Sequence, residues 1–565
     1  MISKSEKGIL SWLVLIAGLG TGLFITPSIS TDPINIPKLS LLIALGFSVI
    51  GLLLFNLKGL FTNISKVFLI LLSLFLLQIT LVLLIVDSPF TQQFYGTNGR
   101  NTGYLAYTSL IFLALGASIA ASDNLLKNFS YSLIAFGAIS AVYGILQTTG
   151  NDPVKWNNPY NSVITFLGNP NFASSALGMS AVVAFAFFLN NNKNRLLQLF
   201  LSIQIFGSIL LTFKSNSQQG FLVFAAGSAI VFGIYIRSHR KLSKKPIFFS
   251  YLGVLSFFGI LTILGMLNQG PLGAVLYKTS VRQRGFYWNS AKEMMLSHPF
   301  FGIGLDSYGD WYLTKRSANA AFYSPDTQSN SAHNIFLDLG STGGFPLFIV
   351  NIALSILTAI AIYKLAKRLT QFNWAFAAIS GAWVAYEAQA VISINQLGLG
   401  IWGWTLMGLI IGYEFSTRPE KTNISIDTSK SAFKQGRSVK KQNGNTSKAL
   451  IGLGLGSLIG LVVAIPIFQN DANFRKAVSG QDAGVAIQAA LARPEDLNRT
   501  IQIADRLQVS GLNQQADELV THVLEKNPRS ITAWRIRLKI AEPGTERYEE
   551  AKNQINFLNP RIPIK

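Results

Sequence analysis

The sequence contains no cysteine and few charged residues. Without cysteine, the chain has no disulfide, no thiol nucleophile and no thiolate metal site. Only 13% of its 565 residues are charged and 50% are hydrophobic, whereas about a quarter of the residues of a soluble protein are charged. Because charged side chains are costly in hydrocarbon, a chain with many membrane spans carries few of them. The composition therefore predicts an all-α, polytopic membrane protein.

Acidic residues are scarce as well, since 26 Asp and Glu stand against 47 Lys and Arg and give a formal net charge of +21. A charge of this size is typical of nucleic-acid-binding proteins. Here, however, the basic residues cluster in short connections between apolar segments, as topology signals do. The distribution predicts orientation in a membrane and argues against nucleic acid as a partner.

Apolar segments of roughly 20 residues, the length that crosses a bilayer, recur along the chain. They predict about 12–13 transmembrane helices, of which the first follows Lys4 and Lys7 and is expected to be retained rather than cleaved as a signal peptide. Twelve segments form a membrane domain at 1–415, and a final one follows it. They lie near 8–26, 37–57, 66–86, 103–121, 127–147, 172–189, 196–213, 219–236, 247–267, 343–363, 373–393, 396–415 and 449–468.

The positions of Lys and Arg predict the orientation of these helices. With the N-terminus in the cytoplasm, every strongly basic connection lies inside, including 237–245 with its five basic residues and no acid. The segment 416–448 is basic and rich in Ser, Asn and Gly, and we interpret it as a disordered cytoplasmic linker. The same assignment places the long connections outside, together with a C-terminal tail. These outer segments are 87–102, 148–171, 268–342 and 469–565.

The tail, residues 469–565, has the charge content of a soluble domain. Asn527-Pro528-Arg529 recurs as Asn559-Pro560-Arg561, and an amphipathic stretch with Ala516 or Ala551 precedes each copy. The tail resembles tetratricopeptide repeats, whose period is about 34 residues, although the Trp/Tyr/Gly signature is incomplete. Two interpretations stay open: a plain helical cap, or a repeat surface that binds an envelope protein partner.

The outer connection 268–342 holds the densest set of polar side chains. Within it, 281–299 is predicted to form an amphipathic helix suited to a lipid interface. His333 and Asn334 are expected to begin a short apolar helix that Gly340, Gly343 and Gly344 break. The polar residues are Lys278, Arg282, Arg284, Lys292, His298, Asp306, Asp310, Lys315, Arg316, Asp326, His333 and Asp338.

Other polar or aromatic residues have simpler interpretations. Lys315 and Arg316 are expected to be solvated or to face lipid. Trp402 and Trp404 are expected in an interfacial aromatic belt. Glu387 lies inside a predicted span, where a carboxylate faces a cavity or a partner.

These residues resemble the O-antigen ligase and polymerase superfamily of bacterial membrane glycosyltransferases. The shared pattern is an Arg before an aromatic helix, a Pro, Gly-x-Gly, a distant His-Asn and Gly-x-x-Gly entering a span. GNPNFASS at 168–175 and Arg100 in an earlier outer loop are also similar. Where the family often has an Arg, this chain reads KSNSQQG, and Lys214 is expected to substitute without a bidentate fork. The matching residues are Arg282 or Arg284, Trp288, Pro299, Gly302, Gly304, His333, Asn334, Gly340 and Gly343.

The resemblance implies a glycosyltransferase at the periplasmic face of the bacterial inner membrane, working without a metal or nucleotide cofactor. Its donor would be a glycan on a polyprenyl diphosphate such as undecaprenyl diphosphate. Its acceptor would be a hydroxyl of lipid A core, of a glycan or of a protein. Ligases and polymerases of the superfamily share these motifs, so the two remain alternatives.

The residue chemistry fits this reaction. The departing diphosphate gains negative charge, which fixed cations stabilise most in the transition state, and Arg forks suit phosphate oxygens. Arg282, Arg284, Arg100 and Lys214 are therefore predicted to bind the donor diphosphate. His333 is predicted to be the general base, because an imidazole ordinarily titrates near neutral pH. The supporting residues are Asn334, Trp288, Gly302 and Gly304.

Two functions of other classes remain possible at this level. A small-solute transporter usually places ionisable residues at mid-membrane in two related halves, whereas Glu387 is nearly the sole acid inside a predicted span here. A scaffold that recruits envelope proteins through the tail is compatible with an active membrane domain.

Overall fold

The computed structural model describes residues 2–156, 163–190, 193–239, 242, 245–419, 444–480 and 482–564. Within them, every regular element is a helix, which confirms the predicted all-α class. The helices are α1 (Lys4–Leu23), α2 (Asn35–Leu54), α3 (Leu57–Thr62), α4 (Lys66–Ile85), α5 (Phe90–Tyr95), α6 (Tyr104–Ala120), α7 (Asp123–Thr148), α8 (Pro170–Phe188), α9 (Arg195–Lys214), α10 (Gln219–Ser238), α11 (Lys245–Met266), α12 (Gly273–Leu276), α13 (Thr279–Ser297), α14 (Tyr308–Lys315), α15 (Ala318–Tyr323), α16 (Ile335–Arg368), α17 (Trp374–Ala390), α18 (Leu397–Ser416), α19 (Gly444–Ser479), α20 (Ala483–Leu491), α21 (Leu497–Val509), α22 (Asn513–Lys526), α23 (Ile531–Ile540) and α24 (Glu546–Leu558).

Each of the thirteen predicted spans coincides with a helix. Among the described residues, ten helices are long and apolar enough to cross a membrane: α1, α2, α4, α7–α11, α16 and α19. The other three predicted spans correspond to α6, α17 and α18, which are almost entirely buried by their neighbours. A polytopic membrane protein is therefore confirmed, with peripheral helices such as α9 and α11 exposing the large apolar side chains that lipid would cover.

Close contacts between small residues hold the central helices together. A Cβ at Gly408 or Gly412 of α18 would overlap the carbonyl oxygen of Ala114 or Ser118 on α6. Small residues allow the two backbones to approach this closely. In lipid no hydrophobic driving force brings helices together, and dispersion contacts between the close backbones stabilise the packing instead. The same mechanism joins α19 to α2, where Gly452 and Gly456, one turn apart, approach the backbone of Gly51. The final predicted span is thus an integral part of the bundle.

The predicted linker 416–448 lies largely outside the described residues, because 420–443 are not described. The span predicted at 449–468 lies within α19, and this helix continues to Ser479 without interruption. One helix therefore leads from the membrane domain into the tail.

The connections between helices gather at two ends of the bundle, as the basic-residue pattern predicts. At one end, Arg368 after α16 pairs with Glu414 near the end of α18 at 3.3 Å. At the other end, Asn35 Nδ2 donates to the carbonyl of Gly99 at 2.9 Å and Arg284 Nε donates to that of Ile392 at 2.8 Å. The odd-numbered connections therefore share one side, and its identity as the periplasmic side stays a prediction.

Two expectations about single residues were wrong. Trp402 is fully buried and packs against Phe129 and Phe136 in the helix bundle, and Trp404 is buried beside Phe75. Neither forms an interfacial belt, because the helix that carries them is central. Arg316 is also buried, since the tail covers it.

The tail contains α20–α24 around its own apolar core, with Ala516 and Ala551 fully buried. Helices α21 and α22 pack together, as do α23 and α24, and Asn527 and Asn559 directly follow the second helix of each pair. The two copies of Asn-Pro-Arg thus mark equivalent turns. Membership in the tetratricopeptide family stays a prediction.

Candidate active site

His333 lies in the turn that leads into α16, at the end of the bundle where the long connections meet. Its φ is +50°, a conformation that costs a non-glycine residue energy and needs support from its surroundings. Its N–H donates to Ser331 Oγ at 2.9 Å. Asn334 caps α16, because its side chain accepts a hydrogen bond from the N–H of Leu337 at 3.1 Å. Asn334 therefore caps α16, and its supporting role in the site stays a prediction.

A buried ion-pair network contacts the backbone of this turn. Arg100 Nη2 donates to Asp338 Oδ2 at 2.6 Å, and Arg100 Nε lies 3.6 Å from Asp306 Oδ1. Asp338 also accepts from the N–H of Ala332 at 3.0 Å, and Arg100 donates to the carbonyl of Asn330. The network thus contacts the backbone on the N-terminal side of His333 twice.

In this network one guanidinium faces two carboxylates. Burial alone would lower the pKa of Arg100, but the neighbouring Asp338 and Asp306 carboxylates raise it further than burial lowers it. Burial raises the pKa of Asp306, while Arg100 and the N–H of Thr97 oppose that rise. Arg100 therefore remains a cation that two carboxylates already engage.

The imidazole of His333 stacks on Tyr287 of α13, with ring centroids 5.1 Å apart and 29° between the ring planes. Burial lowers its pKa to about 3, and the positive charges of Arg284 and Arg100 contribute to that decrease. The imidazole is therefore neutral at pH 7 and lies within the electrostatic reach of two of the predicted donor-binding cations.

Arg284, one turn before the aromatic residues of α13, reaches the connection between α17 and α18. Its Nε donates to the carbonyl of Ile392, and its Nη1 donates to that of Ser280 at 3.2 Å. In the amide orientation that satisfies its neighbours, Gln219 accepts from Arg284 Nη2 and donates to the carbonyl of Asn171, both at 3.2 Å. Burial lowers the pKa of Arg284. No carboxylate is among these partners.

The remaining predicted residues lie further from His333. Arg282 stacks over the ring of Tyr323 at 4.8 Å, and Lys214 is the exposed last residue of α9. Within the described part of the chain, the buried Arg282 Nε and Trp288 Nε1 have no hydrogen-bond partner. Of the predicted cations, Arg100 lines one of the two cavities that His333 lines. Arg284 lies outside both cavities but within electrostatic reach of the imidazole, and Arg282 and Lys214 also lie outside both.

The predicted glycines clamp the end of α13 onto α16. The N–H groups of Ile303 and Gly304 donate to the carbonyls of Ser341 and Thr342 at 3.0 and 3.2 Å. Gly302 and Gly304 have φ values of +65° and +99°, and a Cβ on Gly302 would overlap the Thr342 carbonyl carbon. Only glycine adopts a positive φ without strain and has no Cβ to overlap Thr342.

The break expected in α16 occurs at one residue. Gly344 has φ +77° and ψ 177° within an otherwise continuous helix. Gly340 and Gly343, also expected to break it, lie in the helical part before the kink, so this expectation was wrong for them. Their lack of a side chain instead leaves room for Met295 and Leu347.

His333 lines two polar cavities. The larger is about 640 Å³ and extends from His333, Tyr287 and Asp310 toward the tail. The smaller is about 260 Å³ and lies at the end of the bundle, where connections between helices and the first turns of α2 and α8 line it. Asn330 and His333 line both cavities. The amide side chains of the smaller cavity are Asn35, Asn169, Asn171, Asn330, Asn395 and Gln396.

Sequence reasoning missed most of these amides, because they come from four separate parts of the chain and each resembles an ordinary turn or cap residue. GNPNFASS and KSNSQQG were signals, since they supply Asn169, Asn171 and Gln219. Among the described residues, no group of three or more His, Asp or Glu side chains has the arrangement of a metal site.

No curated protein matches the chain. Residues 203–352 match the model of the O-antigen ligase family. This segment includes Arg284, the glycine clamp and His333, and it covers the outer connection on which the resemblance was based. The resemblance stated from the motifs is thereby confirmed for this region, in which this multi-pass membrane protein is similar to the O-antigen ligase family.

Proposed function

We propose that the protein transfers a glycan from polyprenyl diphosphate to a hydroxyl acceptor at the periplasmic face of the bacterial inner membrane. One observation carries the proposal: His333 stands between two polar cavities, beside Arg284 and Arg100. A site that joins two substrates needs space on both sides of the group that moves the proton.

The donor would enter the smaller cavity, because the first turns of the membrane-spanning helices α2 and α8 line it and the carrier is a lipid. Ser393 lines this cavity directly after Ile392, to which Arg284 is bound. The guanidinium of Arg284 is half-buried and bound only by neutral oxygens. It therefore keeps an uncompensated positive charge for a diphosphate. Arg282 and Lys214 remain proposed ligands of the more distant phosphate oxygens.

Arg100 serves the same site in a different way. It lines the smaller cavity, but its contacts with Asp338 and Asp306 leave little net charge for a ligand. We assign to it chiefly the positioning of the His333 turn. Its field adds to that of Arg284 at the imidazole.

The transfer is a single displacement. The acceptor oxygen forms a bond to the anomeric carbon, and the bond from that carbon to the diphosphate oxygen breaks. The electron pair leaves with the polyprenyl diphosphate, and His333 takes the acceptor proton. The anomeric configuration inverts, and Arg284 stabilises the charge that develops on the leaving group.

The low pKa of His333 couples base catalysis to donor binding. An imidazole with a pKa of about 3 is a weak base, since a general base works best near the ambient pH. Burial is the main cause of the low pKa, and the field of Arg284 adds to it. A bound diphosphate would offset the field of Arg284 and raise that pKa, so that the base is stronger when the donor is in place.

The transporter alternative has less support. Glu387 accepts a hydrogen bond from Ser355 at 3.2 Å and lines a cavity of about 30 Å³. At the usual requirement of about 10–15 Å³ for each water, this cavity holds no more than about two or three waters. This volume does not suit a solute pathway. The oxygen atoms of Glu387 instead suit a structural role between α16 and α17.

The test is transfer by the full chain in lipid nanodiscs, supplied with polyprenyl-diphosphate-linked glycan. Three acceptors are compared: a core glycolipid, a carrier-linked glycan and a peptide with Ser and Thr. We expect release of polyprenyl diphosphate with one acceptor, and loss of that release in His333→Ala. The acceptor used distinguishes a ligase from a polymerase. Absence of transfer with all three, together with solute uptake into proteoliposomes, would overturn the proposal in favour of a transporter.

A further inference from the structure

The tail closes the larger cavity opposite His333. Eleven of the 24 described residues that line this cavity come from the tail, between Leu497 and Leu558. They come from α21, from the turn after α22, from the start of α23 and from the end of α24. The tail therefore forms one wall of the space next to the imidazole.

Both copies of Asn-Pro-Arg attach this wall to α14. Arg529 of the first copy lies over the ring of Trp311, 3.5 Å from its centroid, and donates from Nη2 to Thr314 Oγ1 at 2.8 Å. In the second copy, Asn559 Oδ1 accepts from the buried Arg316 Nη2 at 2.9 Å. The repeat noticed in the sequence is thus a pair of docking turns.

A second set of contacts fixes α21. Asp471 of α19 accepts from the N–H of Thr31 at 2.6 Å and from Arg499 Nη2 at 2.8 Å. Asn98 Nδ2 donates to Asp496 Oδ2 at 3.0 Å. Because α19 continues from the bundle to Ser479, the wall is held from both sides of the cavity.

The wall presents polar side chains that are not engaged elsewhere. Asn498, Gln502 and Thr532 are solvent-exposed, line the cavity and make no side-chain hydrogen bond within the described part of the chain. Gln328 of the connection 268–342 also lines the cavity, is solvent-exposed and makes no side-chain hydrogen bond within the described residues. An amide offers two donors and an acceptor, which matches the paired hydroxyls of a sugar. The volume of about 640 Å³ lies within the range of about 300–1,000 Å³ typical of small-molecule sites.

We propose that the tail is half of the acceptor site and that the acceptor is a saccharide, bound through Asn498, Gln502 and Thr532 with its reacting hydroxyl at His333. This inference rests on the proposed transfer. The lipid of the donor must lie next to membrane-spanning helices. The larger cavity is lined by connections between helices and by the tail, so the donor is excluded from it. A protein acceptor is less suitable, because seven of the eleven residues of the wall are polar and only four are apolar.

The reaction leaves the wall unchanged. The saccharide O–H gives its proton to His333 and its oxygen to the anomeric carbon, and the polyprenyl diphosphate departs with the electron pair. The tail contributes binding that is equal in the ground state and the transition state. Removal of its contacts should therefore raise the acceptor KM and leave kcat unchanged.

The experiment uses the full chain in nanodiscs with Asn498→Ala, Gln502→Ala and the double variant. Gln508→Ala is the matched control, because it is an amide on the same helix that does not line the cavity. The probe is a length series of lipid-free oligosaccharides released by mild acid from the glycolipids of the producing cells. We expect each single variant to weaken equilibrium binding of the probe, and to raise the acceptor KM, by roughly 3- to 10-fold, the value of one hydrogen bond. The control and the donor KM should not change.

The binding measurement separates this inference from the proposed function. If no transfer occurs but the variants still lose oligosaccharide binding, the saccharide site stands and the reaction proposal fails. If transfer occurs and the variants match Gln508→Ala, the tail site is refuted. An increase in donor KM instead would assign the cavity to the donor glycan, and transfer to the Ser/Thr peptide alone would assign it to a protein acceptor.

Discussion

Arg100 and Asp338, 238 residues apart in the chain, form a buried ion pair at 2.6 Å. Each partner also binds the backbone of the turn before His333, Arg100 through the carbonyl of Asn330 and Asp338 through the N–H of Ala332. The strained backbone of the proposed base thus depends on a contact between the connection 87–102 and α16. This relationship makes stability and activity sensitive to the same two residues.

Replacement of Arg100 by Met should destabilise the protein by about 3–5 kcal/mol, because it leaves two buried carboxylates without their cation. The measurement is thermal unfolding of the purified full chain, with transfer activity in parallel. Arg547→Met is the control, since Arg547 pairs with Asp517 on the surface and exposed pairs contribute about 0–1 kcal/mol. Equal effects of the two substitutions would show that the buried network does not support the fold.

Replacement of His333 by Ala should lower the transfer rate by about 10²–10⁴-fold, the usual contribution of a general base. His333→Asn should lose as much activity and keep more stability, because Asn tolerates a positive φ better than Ala. His298→Ala is the control: His298 packs edge-on against Trp311 and lies outside both cavities at His333. Activity within tenfold of wild type in both His333 variants would remove the base from the mechanism.

The pKa of His333 should be far below that of a free imidazole. NMR of the four labelled histidines, assigned by single substitutions, should show one that stays neutral well below pH 6.5, and Arg284→Gln should raise its pKa. Between the folded pKa of about 3 and the unfolded value of about 6.5, only the unfolded chain binds the proton. Stability should therefore fall as the pH falls, by up to about 1.4 kcal/mol per pH unit. A His333 signal that titrates near 6.5 would contradict the buried, cationic surroundings described for it.

Arg284→Lys should raise the donor KM or lower kcat, despite the retained charge, because a lysine cannot reproduce the guanidinium fork. The contacts of Arg284 with Ile392 and Gln219 hold that fork in one orientation. We expect a loss of about 10-fold or more in kcat/KM for the donor, the value of one charge-assisted hydrogen bond of about 1.5–3 kcal/mol. An unchanged acceptor KM is the internal control. If Arg282→Lys alone shows this loss, the diphosphate binds at Arg282 instead.

Gly302→Ala should destabilise the protein, because a Cβ there would overlap Thr342 and a non-glycine residue at φ +65° adds about 1–2 kcal/mol of strain. Gly285→Ala should be neutral or stabilising by about 0.5–1 kcal/mol, since Gly285 is helical with open space around its Cα. Thermal unfolding of both variants tests the clamp. Similar stabilities would show that the contact between 302–304 and 341–345 is loose.

Local and periodic signals in the sequence were sufficient for the elements of this protein. Apolar length and charge depletion predicted every span, because lipid imposes both on any helix that crosses it. The amphipathic helix at 281–299 was confirmed as α13, and the break in α16 was predicted because glycine and proline disrupt helices wherever they occur. The His-Asn and Gly-x-Gly motifs were sufficient to indicate the superfamily.

The partners of these residues were decided only by the tertiary structure. Arg100 meets Asp338, Arg284 meets Gln219, and Arg316 is covered by Asn559, at separations of 238, 65 and 243 residues. No local pattern encodes such pairs, since they follow from how the helices pack, and packing also buried Trp402 despite its aromatic character. By itself, therefore, the sequence determined which segments enter the membrane and which chemistry they carry, whereas the tertiary structure decided which charges are neutralised, which remain for a ligand, and that the tail lies over the base.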